Sequence, residues 1–342
     1  MNTIITVLAA LLLLSILVMV HEFGHYGVGR LLGFTILEYA VGMGPTLLKK
    51  EKNGIIYSLR AFPIGGMCRF YGEDQEVKDE RCFNAQPAWK RILVVLAGPV
   101  MNMIFAILLA ILSLAVWGDF VPSVAELSGE SYPAAVGGIE PGDIIVAIDG
   151  KNVPSYSDTV DMILAVKEDH CTVTVNRDGT LVDCYLQDIY NAESGKNFIG
   201  ISIAATRQHF GFFETIGRSF TYVWGLVRQT FGFFGNLFRG QVSSTDVAGP
   251  VGTIAIISQA VRYGMETILQ IGIIINVSLA IFNVLPIPAL DGGRTVFLLV
   301  ELVRGKPIDP EKEAMVHFVG LMALFALILF LTYNDISNLI RG

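Results

Sequence analysis

The 342-residue chain is short of charge and of the side chains that usually staple or metallate small domains. Only 16% of residues are Asp, Glu, Lys or Arg, and the net charge is -7. With no basic stripe and no RNA-binding signature, the composition argues against nucleic acid as a partner. Four cysteines are too few for a disulfide scaffold. Cys68 and Cys82 lie in one loop and Cys171 and Cys184 in another, neither pair with C-x-x-C spacing, so a zinc knuckle is disfavoured and Cys171 and Cys184 read as free thiols. Histidine occurs five times, at His21, His25, His170, His209 and His317. What fills the space is apolar: 53% of residues are hydrophobic and the mean hydropathy is +0.57. That is too apolar for an ordinary soluble protein and implies several membrane spans.

Four runs are long enough to cross a hydrocarbon core of ~30 Å: residues 3–24, 92–117, 266–290 and 314–333. No basic residue precedes the first and no A-x-A site follows it, so it reads as a retained span rather than a secretory signal. The second carries Gly98-Pro99 and Asn102. A Gly-Pro pair there predicts close helix packing or a local break, and Asn102 reads as a helix–helix hydrogen bond before a member of a site. A polar loop over 301–313 and a short polar tail after 333 complete the second half, 263–342. In the first half, 1–117, the loop between spans carries Lys49, Lys50, Lys52, Arg60, Arg69, Lys90 and Arg91. Met1-Asn2-Thr3 has no basic side chain, so the positive-inside bias places this loop in the cytoplasm. Within its 34–70 portion, Gly54–Leu59 and Ile64–Phe70 read as short strands.

Residues 118–205 change character. A small helix after Tyr132, the turn Pro141-Gly142-Asp143, a strand to Ile148 and the turn Asp149-Gly150 come first. A helix over Thr159–Val166 follows, then strands Thr172–Val175 and Leu181–Leu186 around Asn176-Arg177-Asp178-Gly179. This order resembles a bacterial PDZ domain, a fold that binds extended peptide by strand addition. Its carboxylate-binding loop is weakly represented by Phe198-Ile199-Gly200-Ile201. Residues 206–262 place Phe212, Phe213, Phe220, Trp224 and Phe231 near helical spacing among arginines and glycines. They predict an amphipathic helix in the membrane interface, with a further span as the alternative.

The chemistry is concentrated at His21-Glu22-Phe23-Gly24-His25, which closes the run Ile4–Val20. On a helix, residues four apart share a face, so both histidines can reach one zinc ion, and Glu22 can act as general base toward a water at the metal. Ionisable groups are costly at membrane depth and default to function. Asp291 also arrives directly after an apolar run. Counting crossings puts it at the trailing end of the third span, on the same side and at similar depth as the histidines. Two imidazoles and a carboxylate leave the fourth zinc position open.

Together, H-E-F-G-H, the PDZ-like segment and Asn283-Val284-Leu285-Pro286-Ile287-Pro288-Ala289-Leu290-Asp291-Gly292-Gly293 resemble the site-2 protease family of intramembrane metalloproteases. The resemblance implies a polytopic α-helical membrane protein of four spans with a membrane-associated β-hairpin and one extracytoplasmic PDZ domain. It implies Zn2+ on His21, His25 and Asp291, Glu22 as catalytic base, and Asn283, Pro286 and Pro288 shaping the substrate site. It further implies single-span membrane proteins such as anti-sigma factors or signal-peptide remnants as substrates. The expected location is the plasma membrane, with the active site toward the cytoplasm. Two rival classes are a non-enzymatic PDZ adaptor and a different membrane zinc protease acting on misfolded segments.

Overall fold

The computed structural model describes residues 3–73, 79–153, 156–191, 195–243 and 247–341, which fall into two units, Met1–Ser113 with Tyr222–Gly342, and Leu114–Thr221. The apolar run at the start forms α1, Thr3–Leu31. It continues past the predicted end at 24 and stops only at Gly33, whose φ of 82° suits glycine. The motif histidines therefore lie inside a helix rather than at its end.

Strands β1 (Ile36–Lys52) and β2 (Ile55–Phe70) follow, paired antiparallel. The two short strands expected from the sequence are both parts of β2, and their partner β1 was not anticipated. Asn53 and Gly54, at φ 55° and 76°, form the two-residue turn between Lys52 and Ile55, as an Asn-Gly pair favours. Glu38–Val41 are partnered both with Ile56–Leu59 and with Arg69–Gly66. The ribbon is thus doubled over, with Gly42, Gly44 and Gly65 at positive φ in the bends. The first half of β1 alternates in burial, whereas its second half is exposed throughout. Buried Glu38 is satisfied by Ser58 at 2.6 Å and Arg60 at 2.9 Å.

Helix α2 spans Ala88–Trp117 and remains one element through Pro99. The second unit then opens with β3 (Asp119–Leu127), α3 (Pro133–Val136), β4 (Ile144–Ile148), β5 (Lys151–Asn152) and α4 (Tyr156–Leu164). It continues through β6 (His170–Arg177), β7 (Thr180–Gln187), β8 (Tyr190–Asn191), β9 (Lys196–Asn197) and β10 (Ile201–Gln208). The main sheet runs β10-β3-β4-β6-β7, all antiparallel, with β5 beside β4. Asp149-Gly150 and Asp178-Gly179 have paired positive φ, forming two-residue turns where the sequence places them. Val124, Ile145, Ile148, Val173, Val175 and Leu186 form the core. Cys171 and Cys184 are buried free thiols; Cys171 faces Leu186 and Cys184 faces Val173, so they are not cross-strand partners. Burial pushes the Cys171 thiol up to about 11. Phe198–Gly200, the segment of the expected carboxylate loop, is without regular structure before β10, and Ser155 lies outside the described residues.

Helix α5 (Phe212–Phe238) exposes Phe212, Phe213, Phe220, Trp224 and Phe231 and buries Val223 and Val227 against Ala106, Ala110, Ile273 and Val277. Among the described residues four helices are long and apolar enough to cross a membrane, α1, α2, α7 (Met265–Val284) and α9 (Pro310–Arg341), and α5 is not one of them. Helix α6 (Pro250–Tyr263) is a second, separate helix within the segment 206–262.

Two corrections concern the last quarter of the chain. The third span ends at Val284, and Asp291 opens a separate helix, α8 (Asp291–Arg304), because Pro286 and Pro288 cannot continue α7. Nor is the end of the chain a polar tail: α9 runs to Arg341, and Asp335 is 7% exposed. Its carboxylate accepts the N–H groups of Gly249 at 3.1 Å and Gly252 at 2.8 Å, satisfying the start of α6.

Candidate metal centre

One helical turn separates His21 and His25, so both rings leave the same side of α1. That side is pressed onto α2 at two glycines. A methyl group on Gly24 would collide with the Ala97 carbonyl, and one on Gly98 would overlap the rings of His25 and His21. The Gly-Pro pair in α2 therefore marks close packing, not a break.

From the other side α8 brings Asp291. Its Oδ2 lies 3.1 Å from His21 Nε2 and 3.5 Å from His25 Nε2, and the two Nε2 atoms are 3.2 Å apart. Donors held ~2.0–2.1 Å from a tetrahedral ion sit ~3.4 Å from one another, so the trio has the spacing of three corners of a zinc site. Both histidine side chains are 12% exposed and that of Asp291 is 22% exposed. Among the described residues this is the one group of three or more such side chains able to hold a metal ion.

The outer nitrogens are held as well. His25 Nδ1 donates to the Val94 carbonyl at 2.8 Å, leaving Nε2 for a ligand. His21 Nδ1 meets the side-chain amide of Asn102 at 3.2 Å. With Nε2 facing the trio, Nδ1 carries the proton. The atom placed there is Asn102 Nδ2, and Oδ1 is buried without a hydrogen bond; with the amide turned over, Oδ1 would accept that proton. The Asn102 carbonyl in turn accepts Asn276 Nδ2 at 2.7 Å. Asn102 thus makes the expected interhelical bonds and also touches the site.

Glu22 lies against the doubled ribbon. The N–H of Cys68 hydrogen-bonds to its carboxylate, and a methyl group on Gly66 would come within 2.9 Å of Glu22 Cγ. Helix α8 is tied down by ion pairs Arg91–Glu301 and Arg294–Glu73, the latter guanidinium 4.8 Å over the Phe83 ring. Gly292 and Gly293 admit the Val284, Leu285 and Ile287 carbonyls.

His21, Glu22, His25 and Asp291 are therefore brought together. Asn283, Pro286 and Pro288 stand on the approach to Asp291 rather than in the trio: Asn283 donates to the Leu279 carbonyl at 3.0 Å, and Pro288 lies against Gly320. Sequence reasoning gave no role to Gly24, Gly66 or His317. Gly98 and Asn102 it did read, as close helix packing or a local break and as a helix–helix hydrogen bond, and the structure places both against the histidines.

A histidine pair and a carboxylate converging beside a glutamate, between apolar helices, define a membrane zinc hydrolase site. Comparison with known proteins agrees with that class. The profile of peptidase family M50 matches residues 9–327. A zinc metalloprotease RasP of Shouchella clausii is 28% identical over 98% of this chain and 99% of its own. The RasP of Bacillus licheniformis is likewise 28% identical over the same shares. A Clostridium perfringens protein, provisionally named a zinc metalloprotease, is 34% identical over 96% of this chain and 98% of its own. A solved PDZ domain of an SdrC-like protein from Listeria innocua covers 27% of this chain at 26% identity, with a TM-score of 0.23. The chain belongs to peptidase family M50, the site-2 proteases, and is a membrane zinc metalloprotease.

Proposed function

We propose that the enzyme hydrolyses peptide bonds within or beside the transmembrane segment of single-span membrane proteins, with His21, His25 and Asp291 holding the zinc and Glu22 moving the proton. The observation that carries this reading is the meeting of the H-E-x-x-H face of an apolar helix with Asp291, which is 270 residues from His21 in sequence yet 3.1 Å from it in space. When bound, zinc supplies Lewis acidity toward a carbonyl oxygen and lowers the pKa of water toward ~7.

The chain's own residues do the rest. A transmembrane helix hides its peptide bonds in its own hydrogen bonds, so a substrate must be unwound before it can be cut. Row Gly66–Phe70 pairs with Ile36–Val41 on one side and turns Cys68 N–H toward Glu22 on the other. An extended substrate segment laid along that row gains backbone bonds and passes Glu22. Glu22 accepts a proton from the attacking water and returns it to the leaving amine. Val94 and Asn102 keep both imidazoles aimed throughout.

The second unit is read as a PDZ module outside the cytoplasm that screens substrates by bulk, with the metal centre toward the cytoplasmic face. Reporters fused near Ser155 and near Glu76 are expected on opposite sides, and finding both on one side sinks this arrangement. For the chemistry, purified wild type and Glu22→Gln are incubated with single-span proteins and the cut is mapped by mass. Cleavage should lie within or beside the span and fall ~10²–10⁴-fold in the variant, with zinc retained. Near-normal cleavage by Glu22→Gln would reject the assignment.

A further inference from the structure

His317 lies outside the metal centre, on α9, and the chemistry above does not use it. Its Nδ1 accepts the N–H of Ala289 at 2.9 Å. Ala289 has a φ of 73°, a left-handed conformation that brings the Cβ of an L-residue too close to the following carbonyl oxygen. Such a residue persists where its surroundings over-determine it. Here the reason is geometric: Pro286 and Pro288 hold the chain extended after α7, and one residue must turn it back to start α8 two positions later, at Asp291. Gly320, three residues after His317 on the same face of α9, lets that helix press on the turn; a methyl group there would lie 2.8 Å from the Pro288 carbonyl oxygen. The imidazole is further fixed against Phe297, ring centroids 5.3 Å apart, while its buried Nε2 makes no hydrogen bond and Glu313 Oε1 stands 3.9 Å away.

We propose that His317 is a positioning residue for the zinc ligand Asp291: as a neutral imidazole protonated on Nε2, it holds Ala289 left-handed through Nδ1 and so sets the direction in which α8 presents its first carboxylate. This rests on the reading of Asp291 as a ligand. The consequence is that the fourth span, which contributes no ligand, still governs metal geometry.

The test uses the full chain in lipid nanodiscs, read by zinc competition against a chelator and by the visible spectrum of the cobalt-substituted protein. His317→Leu keeps the packing and removes the acceptor. Its zinc affinity should fall ~10–100-fold, the usual cost of losing an outer-shell partner, with an altered cobalt spectrum. His317→Asn, whose Oδ1 can accept the same N–H, should stay within ~3-fold of wild type on that scale. Adding Ala289→Gly to His317→Leu should restore most of the loss, because glycine needs no help to hold that φ. Wild-type affinity and spectrum in His317→Leu overturn the proposal, as does an equal loss in His317→Asn with no rescue by glycine. Should His317→Leu not fold, 15N NMR of wild type decides: an Nδ1-protonated or doubly protonated His317 overturns the proposal. Asp291→Ala separates the two layers, since loss of zinc there with His317→Leu unaffected rejects only the positioning role, whereas retention of zinc rejects the ligand assignment beneath it.

Discussion

The two units bury polar groups for different ends. In the second unit, buried Asp143 is 2% exposed and bonds to Arg177 Nε at 2.8 Å, to Arg177 Nη2 at 2.7 Å and to the Glu140 N–H at 2.9 Å. Every partner is local to the turn before β4 and the end of β6, and the arrangement pins a loop to a sheet. In the first unit, buried polar groups point inward on a common centre: Asn276 supports Asn102, Asn102 and Val94 orient the histidines, and the histidines face Asp291. A network closed on itself stabilises; one that gathers two imidazole nitrogens and a carboxylate oxygen within 3.5 Å of one another has the donor set of a metal site. Burial of a polar side chain therefore says little by itself, and the kind of group it faces says a good deal.

The strongest way to break this contrast is at Gly98. Its hydrogen faces both imidazoles, so Gly98→Ala must push them off their aim. Zinc affinity should drop ~100-fold or more, at the top of what outer-shell changes cost. Gly27→Ala, where a methyl group meets nothing within 4 Å, should leave it unchanged. Equal behaviour of the two variants in a chelator titration would remove close packing from the account.

A smaller effect, and one confined to the other unit, is expected at Asp143. Burial would raise its carboxyl, but the hydrogen bonds from Arg177 and the Glu140 N–H outweigh it and hold the group below the usual carboxylate range. A depressed folded pKa contributes stability that is present above the ordinary value of ~3.9 and is lost as pH falls through the folded value. Asp143→Asn should cost the second unit about 3 kcal/mol at neutral pH, and should flatten its loss of stability below ~4. Hydrogen exchange at the Val173 and Val175 amides in the full chain reads both. The same variant should keep wild-type zinc affinity; a change there would couple the units in a way the contrast excludes.

Least of all should change when the second unit is removed. Replacing residues 118–205 with a short Gly/Ser bridge takes away none of the three candidate ligands, His21, His25 and Asp291. Zinc content should stay at one per chain, and cleavage of a trimmed substrate should persist, while discrimination against substrates with large outer domains weakens. Loss of zinc on deletion would show that the sheet belongs to the catalytic fold.

Legibility in the sequence follows the same division. Local signals served well: the i, i+4 histidines, four apolar runs that appear as four long helices, and the Asp-Gly turns of the second unit. Asp291 was reachable because a lone carboxylate after an apolar run is expensive. The physical reason for the misses is distance in sequence. Helix α8 is hidden behind two prolines, β1 is irregular because it bends at Gly42 and Gly44, and Asp335 looks like tail polarity until Gly249 and Gly252 are seen against it. His317 carries no pattern at all; only Ala289 gives it a purpose. Asn53-Gly54 was a readable turn signal, and it would have located the hairpin tip.

The central claim is that two imidazoles from α1 and one carboxylate from α8 form the metal shell. X-ray absorption at the zinc edge of the purified, membrane-reconstituted protein tests it most directly, taken on wild type and Asp291→Ala. The account predicts nitrogen and oxygen donors at ~2.0–2.1 Å with two imidazole signatures, and loss of bound zinc in the variant. A sulfur donor at ~2.3 Å, which would bring in Cys68, or a wild-type shell in Asp291→Ala, would contradict it.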